Sequence, residues 1–255
     1  MDQELALAIL LSGRSALLTG AAGTGKTHLL NNFIAQARKR GKKVSVTATT
    51  GLAATHLGGN TIHSWSGIGV SDHLPNNFFE RLSKTRRDVI SKTDVLIIDE
   101  ISMLHDFRLD MIDKVLRTVR ENDQPFGGIQ LVMSGDFFQL PPVNRPSEQG
   151  GGFVVYSDAW QELQPAVLYL ERQYRQNDDR LLEILTALRT GDVRRSHVEA
   201  LLARTEIEPP DGDITELHTV NVDVDDINIQ KLAELPGEER SYQQTTTGSK
   251  IYVEN

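Results

Sequence analysis

The chain has 255 residues, 39% of them hydrophobic, and a formal net charge of −8. Length and composition suit a globular protein of one or two domains, and the absence of cysteine excludes disulfides and thiolate metal sites and suits the reducing cytoplasm. No apolar run is long enough to cross a membrane, and the acid excess weighs against a surface that is basic throughout while leaving a local nucleic-acid groove open.

The acidic start, Met1 to Glu4, does not have the form of a signal peptide. Gln3 to Leu11 reads as a short helix, and Ser15 to Thr19 as a strand. Directly after it, Gly20, Ala21, Ala22, Gly23, Thr24, Gly25, Lys26 and Thr27 fit the phosphate-loop pattern G-x-x-x-x-G-K-[ST] at every fixed position. Leu29, Leu30, Phe33, Ile34 and Ala37 then recur at helical spacing. A strand, a glycine loop and a helix start form the context in which loop N–H groups and the positive helix end hold a phosphate. Lys26 is placed to reach the β- and γ-phosphates of ATP, and Thr27 to ligate Mg²⁺.

Lys42 to Ala48 reads as a second strand. The stretch that follows, with Thr49, Thr50 and Gly51, is small, hydroxylated and expected to be flexible; Gly58 to Trp65, with His63, Ser64 and Trp65, is a second such stretch. Small polar residues leaving a strand at the carboxyl edge of an α/β sheet lie where ligands bind. An aromatic ring and a histidine there suit a base or a phosphate, and a helix cap with a core tryptophan suits the pattern equally. Residues 67–92 break the alternation and read as an insertion, with a turn at Pro75-Asn76-Asn77 and a basic end at Lys84, Arg86 and Arg87.

Asp94 to Glu100 carries four consecutive apolar residues, the mark of a strand buried on both faces. Two carboxylates stand at its end. Asp99 is placed to hold the Mg²⁺ shell and Glu100 to take a proton from an attacking water. Leu104 to Val119 is an amphipathic helix, and Ile129 to Met133 another strand. It runs into a polar turn closed by Pro141-Pro142, where Gln139 is the candidate phosphate sensor. Residues 153–170 read as strand, short helix and strand; 179–189 and 196–203 as helices; 208–213 as a linker. Beyond it a strand (214–219) and a helix (223–235) begin a second unit over 214–255, too short to bury a sizeable core.

In their order these stretches resemble the petite-integration-frequency (PIF) family of superfamily 1B DNA helicases, from about Gln3 to Tyr242. The most specific parts are Ile98 to Met103 and Phe126 to Val143, with Thr61 to Trp65 and Tyr174 to Gln176 in support. The resemblance implies a motor with two RecA-like lobes that moves 5′→3′ on single-stranded DNA at the expense of ATP. It implies that Gln3 reads adenine and that Gln139 couples nucleotide to DNA. It implies that Arg175 reaches the γ-phosphate on lobe closure. It also implies that Thr49, Thr50, Gly51, His63, Ser64 and Trp65 line the DNA track, and that residues 67–92 occupy the place of a wedge.

The family continues into further motifs that this chain does not carry, so it resembles the N-terminal part of a longer helicase, expected to bind nucleotide without unwinding a duplex alone. The expected fold is α/β: a RecA-like P-loop NTPase with a parallel sheet flanked by helices over 1–207, plus the start of a second RecA-like lobe. The expected catalytic residues are Lys26, Glu100, Gln139 and Arg175. The expected cofactors are ATP and Mg²⁺, the partners single-stranded and forked or structured DNA, with no membrane, and the state monomeric. Open alternatives are a DNA-dependent ATPase that remodels protein–DNA complexes and a nucleotide-gated regulatory module without translocation.

Overall fold

A computed structural model describes residues 1–144, 150–174, 179–205, 207, 215–218, 221–237 and 240–241. The chain divides into two compact units, Met1–Arg194 and Arg195–Asn255. The linker proposed at 208–213 lies outside the described residues.

In the first unit, α1 (Gln3–Leu11) is capped by Asp2, whose carboxylate accepts from the Leu5 N–H at 2.8 Å. β1 (Ala16–Gly20) leads through the glycine loop into α2 (Lys26–Lys39), and β2 (Val44–Ala48) follows. The small-residue stretches after β2 are more ordered than their composition suggests. Thr50 caps α3 (Gly51–His56), and Thr61, at the end of the two-residue β3 (Asn60–Thr61), caps α4 (Ile62–Ser66). In each case a threonine hydroxyl accepts a helix N–H, which fixes a helix start that hydrophobic periodicity over five or six residues does not reveal.

Residues 67–92 hold α5 (Phe78–Arg81) and α6 (Lys84–Lys92). After β4 (Val95–Asp99) and a 3₁₀ turn come α7 (Asp106–Arg120) and β5 (Gln130–Gly135). The strand expected near 153 is instead a single bridge between His105 and Phe153 followed by a 3₁₀ turn, because Ser157 caps α8 (Asp158–Leu163) only a few residues later. β6 (Ala166–Leu170) and α9 (Asp179–Thr190) complete the unit.

The six strands form one parallel sheet in the order β3-β2-β4-β5-β1-β6. Alternate residues of β4 divide between two cores. Val95 and Ile97 join Leu18, Val132, Leu29, Leu30 and Phe33 on the face covered by α1 and α2. Leu96 and Ile98 join Leu17, Met133, Ile62, Ile90, Leu109 and Ile112 on the face covered by α4, α6 and α7. Helices on both faces explain why β4 reads as an unbroken apolar run. Each fully buried aliphatic side chain contributes about 1.5–3 kcal/mol. Arg120 stitches the second face by donating to the carbonyls of Ile90, Ser91, Thr93 and Gly127.

The second unit contains α10 (Arg195–Thr205) and α11 (Asn221–Glu234). Residues 215–218, the described part of the strand expected at 214–219, carry no strand pairing.

Candidate functional site

The carboxyl ends of β1, β4 and β5 bring the predicted nucleotide residues to one edge of the sheet. The glycine loop depends on backbone freedom at defined points. Gly20 has φ 150°, and a Cβ there would stand 2.5 Å from the Leu170 carbonyl oxygen. Gly25 has φ 84°, and a Cβ there would collide with Nε2 of Gln3. Both positions accept only glycine without strain. Gln3 donates to the Thr24 carbonyl at 3.2 Å, so α1 lays its amide directly on the loop. The Tyr174 N–H donates to the Gly23 carbonyl at 2.9 Å, a second contact that holds the loop.

Lys26 folds back on this loop and donates to the carbonyls of Gly20 at 2.8 Å and Ala21 at 3.1 Å. Burial lowers its pKa, against the pull of Asp136, Glu100 and Asp99. Three carboxylates therefore face one lysine, an electrostatic arrangement that suits a phosphate–metal pair set between them. Thr27 is exposed in the first turn of α2, and Asp99 is partly buried at the end of β4. Two hard oxygen donors fit Mg²⁺, which keeps most of its shell for phosphate and water.

Glu100 has φ 54° and ψ 41°, the left-handed region that a glutamate seldom adopts. Its carbonyl accepts from the Thr49 hydroxyl at 2.9 Å and from the Met103 N–H at 3.1 Å. The Thr49 N–H in turn donates to the Asp99 carbonyl at 3.1 Å. Thr49 thus binds the backbone of both carboxylate residues. Burial raises the Glu100 pKa, the negative charge of Asp99 adds to the rise, and Lys26 opposes it. A partly buried carboxylate with a raised pKa is suited to general-base work.

Gln139 follows β5 in a turn organised by Asp136. The Asp136 carbonyl accepts from the Gln139 N–H at 2.9 Å, Oδ1 accepts from the Phe138 N–H at 3.1 Å, and Oδ2 accepts from Gln139 Nε2 at 3.5 Å. Asp136 is 2% exposed. Burial pushes its pKa up, but Arg189, the Phe138 N–H and Lys26 together bring it below the usual range. Sequence pattern singles out Gln139 alone in this turn; Asp136 and Arg189 carry no local signal and emerge only from the fold.

The residues assigned to a DNA track take several positions. Thr50 is engaged as the α3 cap, Gly51 is exposed, and Ser64 is exposed on α4. Trp65 is 7% exposed and belongs to the core. His63 lies 3.2 Å from Arg108, which also pairs with Asp72 at 3.1 Å. Burial, Arg108 and His105 push its pKa down to about 4, so His63 is neutral near pH 7. Arg175 lies outside the described residues.

The sequence model of the PIF1-like helicases matches residues 2–193. The chain belongs to the PIF1-like helicase family. It is 43% identical to the ATP-dependent DNA helicase Pif1 of Psychrobacter sp., covering 100% of this chain and 40% of that protein. It is 38% identical to the ATP-dependent DNA helicase RRM3 of Saccharomyces cerevisiae, covering 93% and 34%. The chain thus spans less than half the length of these PIF1-like relatives. Among solved structures, Candida albicans Pif1 helicase superposes with a TM-score of 0.82 at 37% identity, covering 92% of this chain and 55% of that one. Bacteroides Pif1 in complex with ADP-AlF3 and single-stranded DNA gives 0.79 at 31% identity, covering 92% and 57%. The six-stranded parallel sheet flanked by helices is accordingly the RecA-like domain of PIF1-like helicases.

Proposed function

We propose that this chain is the ATP-binding and hydrolysing lobe of a 5′→3′ DNA helicase motor, which couples ATP hydrolysis to translocation on single-stranded DNA and to duplex unwinding in genome maintenance. One observation carries the reading: Thr49, in the segment assigned to the DNA track, is hydrogen-bonded to the backbone of both Asp99 and Glu100. Strand contact and water activation then share one piece of backbone.

In this reading ATP lies on the Gly20–Thr27 loop, with Gln3 against its adenine. Mg²⁺, held by Thr27 and Asp99, supplies neutralisation of phosphate charge. Lys26 leaves the loop carbonyls for the phosphates, and Glu100 orients the water and accepts its proton. Gln139 contacts the γ-phosphate, and Arg175 adds positive charge as the lobes close. Phosphoryl transfer needs little beyond such positioning and charge stabilisation. On the DNA side, Thr50, Gly51, Ser64 and neutral His63 offer polar contacts, while Trp65 supports the floor from within the core. Residues 67–92 serve as a wedge at the strand junction.

A complex of two coordinating Pif1 helicases at forked double-stranded DNA supports forked DNA as the substrate. This chain carries both the Gly20–Thr27 loop and the Asp99–Glu100 pair, so we take the monomer as the hydrolysing unit. No helix among the described residues is long and apolar enough to cross a membrane, in keeping with the cytoplasmic or nucleoid location we propose. The deciding experiment measures ATP hydrolysis by the full-length protein with and without single-stranded DNA, using Glu100→Gln as control, and strand displacement on a fork with a 5′ tail. Stimulated hydrolysis with displacement is the expected result. Hydrolysis without displacement identifies a remodelling ATPase, and absence of DNA stimulation identifies a nucleotide-gated module.

A further inference from the structure

Arg189, in the last turn of α9, is absent from the sequence motifs and yet sits at the centre of the Gln139 turn. Its Nη1 donates to Asp136 Oδ2 at 2.7 Å, and its Nε donates to the Tyr169 hydroxyl on β6 at 3.3 Å. The guanidinium lies 4.4 Å from the centre of the Phe138 ring. Its side chain is 17% exposed and that of Asp136 3%. A desolvated pair of this kind is not a surface ion pair of negligible weight. The oxygen that Arg189 holds is the one that Gln139 Nε2 approaches, while the other oxygen fixes the Phe138 N–H. A cleft of about 340 Å³ opens here, lined by Ala21 and Ala22 of the glycine loop together with Gln139, Gln173 and Arg189.

We infer that Arg189 is a positioning residue for the sensor: by holding Asp136 from α9 it fixes the orientation of Gln139 toward the nucleotide loop. The inference rests on the proposed role of Gln139 in DNA-stimulated hydrolysis. A forked cation is required, because the same group must bond a carboxylate, reach a phenol and sit over a ring; a lysine does one of these at a time. The position of α9 has a further meaning, since this helix begins directly after the segment that contains Arg175. Arg189 thereby ties the far end of that helix to the sensor turn.

The test compares the full-length protein with Gln139→Ala, Arg189→Gln, Arg189→Lys, Asp136→Asn and the Gln139→Ala/Arg189→Gln double variant. It reads kcat for ATP hydrolysis under saturating single-stranded DNA, together with the affinity for ADP. Misplacing a positioned group costs on the order of ten- to a hundred-fold in rate. Arg189→Gln and Asp136→Asn are expected to lower kcat in that range while leaving ADP affinity within about two-fold. The double variant is expected to be no worse than Gln139→Ala alone, because groups acting through one another are not additive. Arg189→Lys is expected to recover part of the loss. A merely structural role would instead weaken ADP binding alongside kcat, and that result overturns the inference. So do losses that multiply in the double variant, or wild-type kcat in Arg189→Gln and Asp136→Asn while Gln139→Ala is impaired. If wild type shows no DNA stimulation, or Gln139→Ala has no effect, the sensor reading itself fails and takes this inference with it.

Discussion

The Thr49 hydroxyl donates to the Glu100 carbonyl at 2.9 Å. This bond braces a residue whose backbone lies in the left-handed region, a conformation that costs on the order of 1–3 kcal/mol and persists where the surroundings enforce it. Thr49→Val keeps the shape and removes the donor, at a net cost of about 0.5–1.5 kcal/mol. We expect single-stranded DNA to stimulate hydrolysis about ten-fold less in this variant, the equivalent of some 1.4 kcal/mol, with ADP affinity unchanged. Steady-state rates titrated with oligonucleotide give the answer; an unchanged maximal rate would count against the linkage.

Two carboxylates of the site carry opposite pH signatures. The Glu100 pKa is raised in the fold, chiefly by burial, so the folded state holds its proton more tightly than the unfolded chain. Stability then falls as pH rises from the ordinary carboxylate value through the raised one. Glu100→Gln should melt above wild type at neutral pH, and the gap should close in acid. For Asp136 burial opposes ionisation, but Arg189 and the Phe138 N–H outweigh it and the pKa is lowered. Its contribution is present above the ordinary value and is lost as pH falls through the lowered one. Asp136→Asn should melt below wild type at neutral pH, and this gap too should close in acid. Thermal midpoints across a pH series measure both.

Lys26→Ala removes the cation assigned to the phosphates. Charge-assisted bonds are worth about 1.5–3 kcal/mol, so ATP affinity should fall by roughly ten- to 150-fold. Fluorescent nucleotide titration reads this directly, and retention of wild-type affinity would remove Lys26 from the site.

Gly20→Ala tests the backbone argument. The added methyl would meet the Leu170 carbonyl at 2.5 Å in a conformation that L-residues rarely adopt. Overpacking against backbone and positive-φ strain each cost about 1–3 kcal/mol, and the urea midpoint should fall accordingly. An unshifted midpoint would mean that the β1–β6 edge relaxes at no cost.

Much of the site was legible in the sequence because its parts are local. The glycine loop and the Asp99–Glu100 pair each occupy a few consecutive residues at the end of a strand, and β4 declares itself by an unbroken apolar run. What escaped is non-local. Arg189 is 53 residues from Asp136, on an amphipathic helix where one arginine resembles any solvated cation. Thr49 carried a DNA assignment, and its bond to Glu100 depends on β2 and β4 being neighbours, an adjacency that pattern reading does not supply. α3 and α4 were hidden for a different reason: their starts are set by hydroxyl caps, and neither helix is long enough for its period to show.

On the function proposed above, the fold-back of Lys26 onto Gly20 and Ala21 makes nucleotide entry an exchange reaction. The lysine arrives already satisfied, so an incoming phosphate must outcompete two carbonyl oxygens that are tethered at no entropic cost. A monovalent or weakly charged anion gains little from that trade, while a polyphosphate with its metal offers several oxygens in return for two. On the function proposed above, the loop therefore favours ligands that bring several negative oxygens to Lys26.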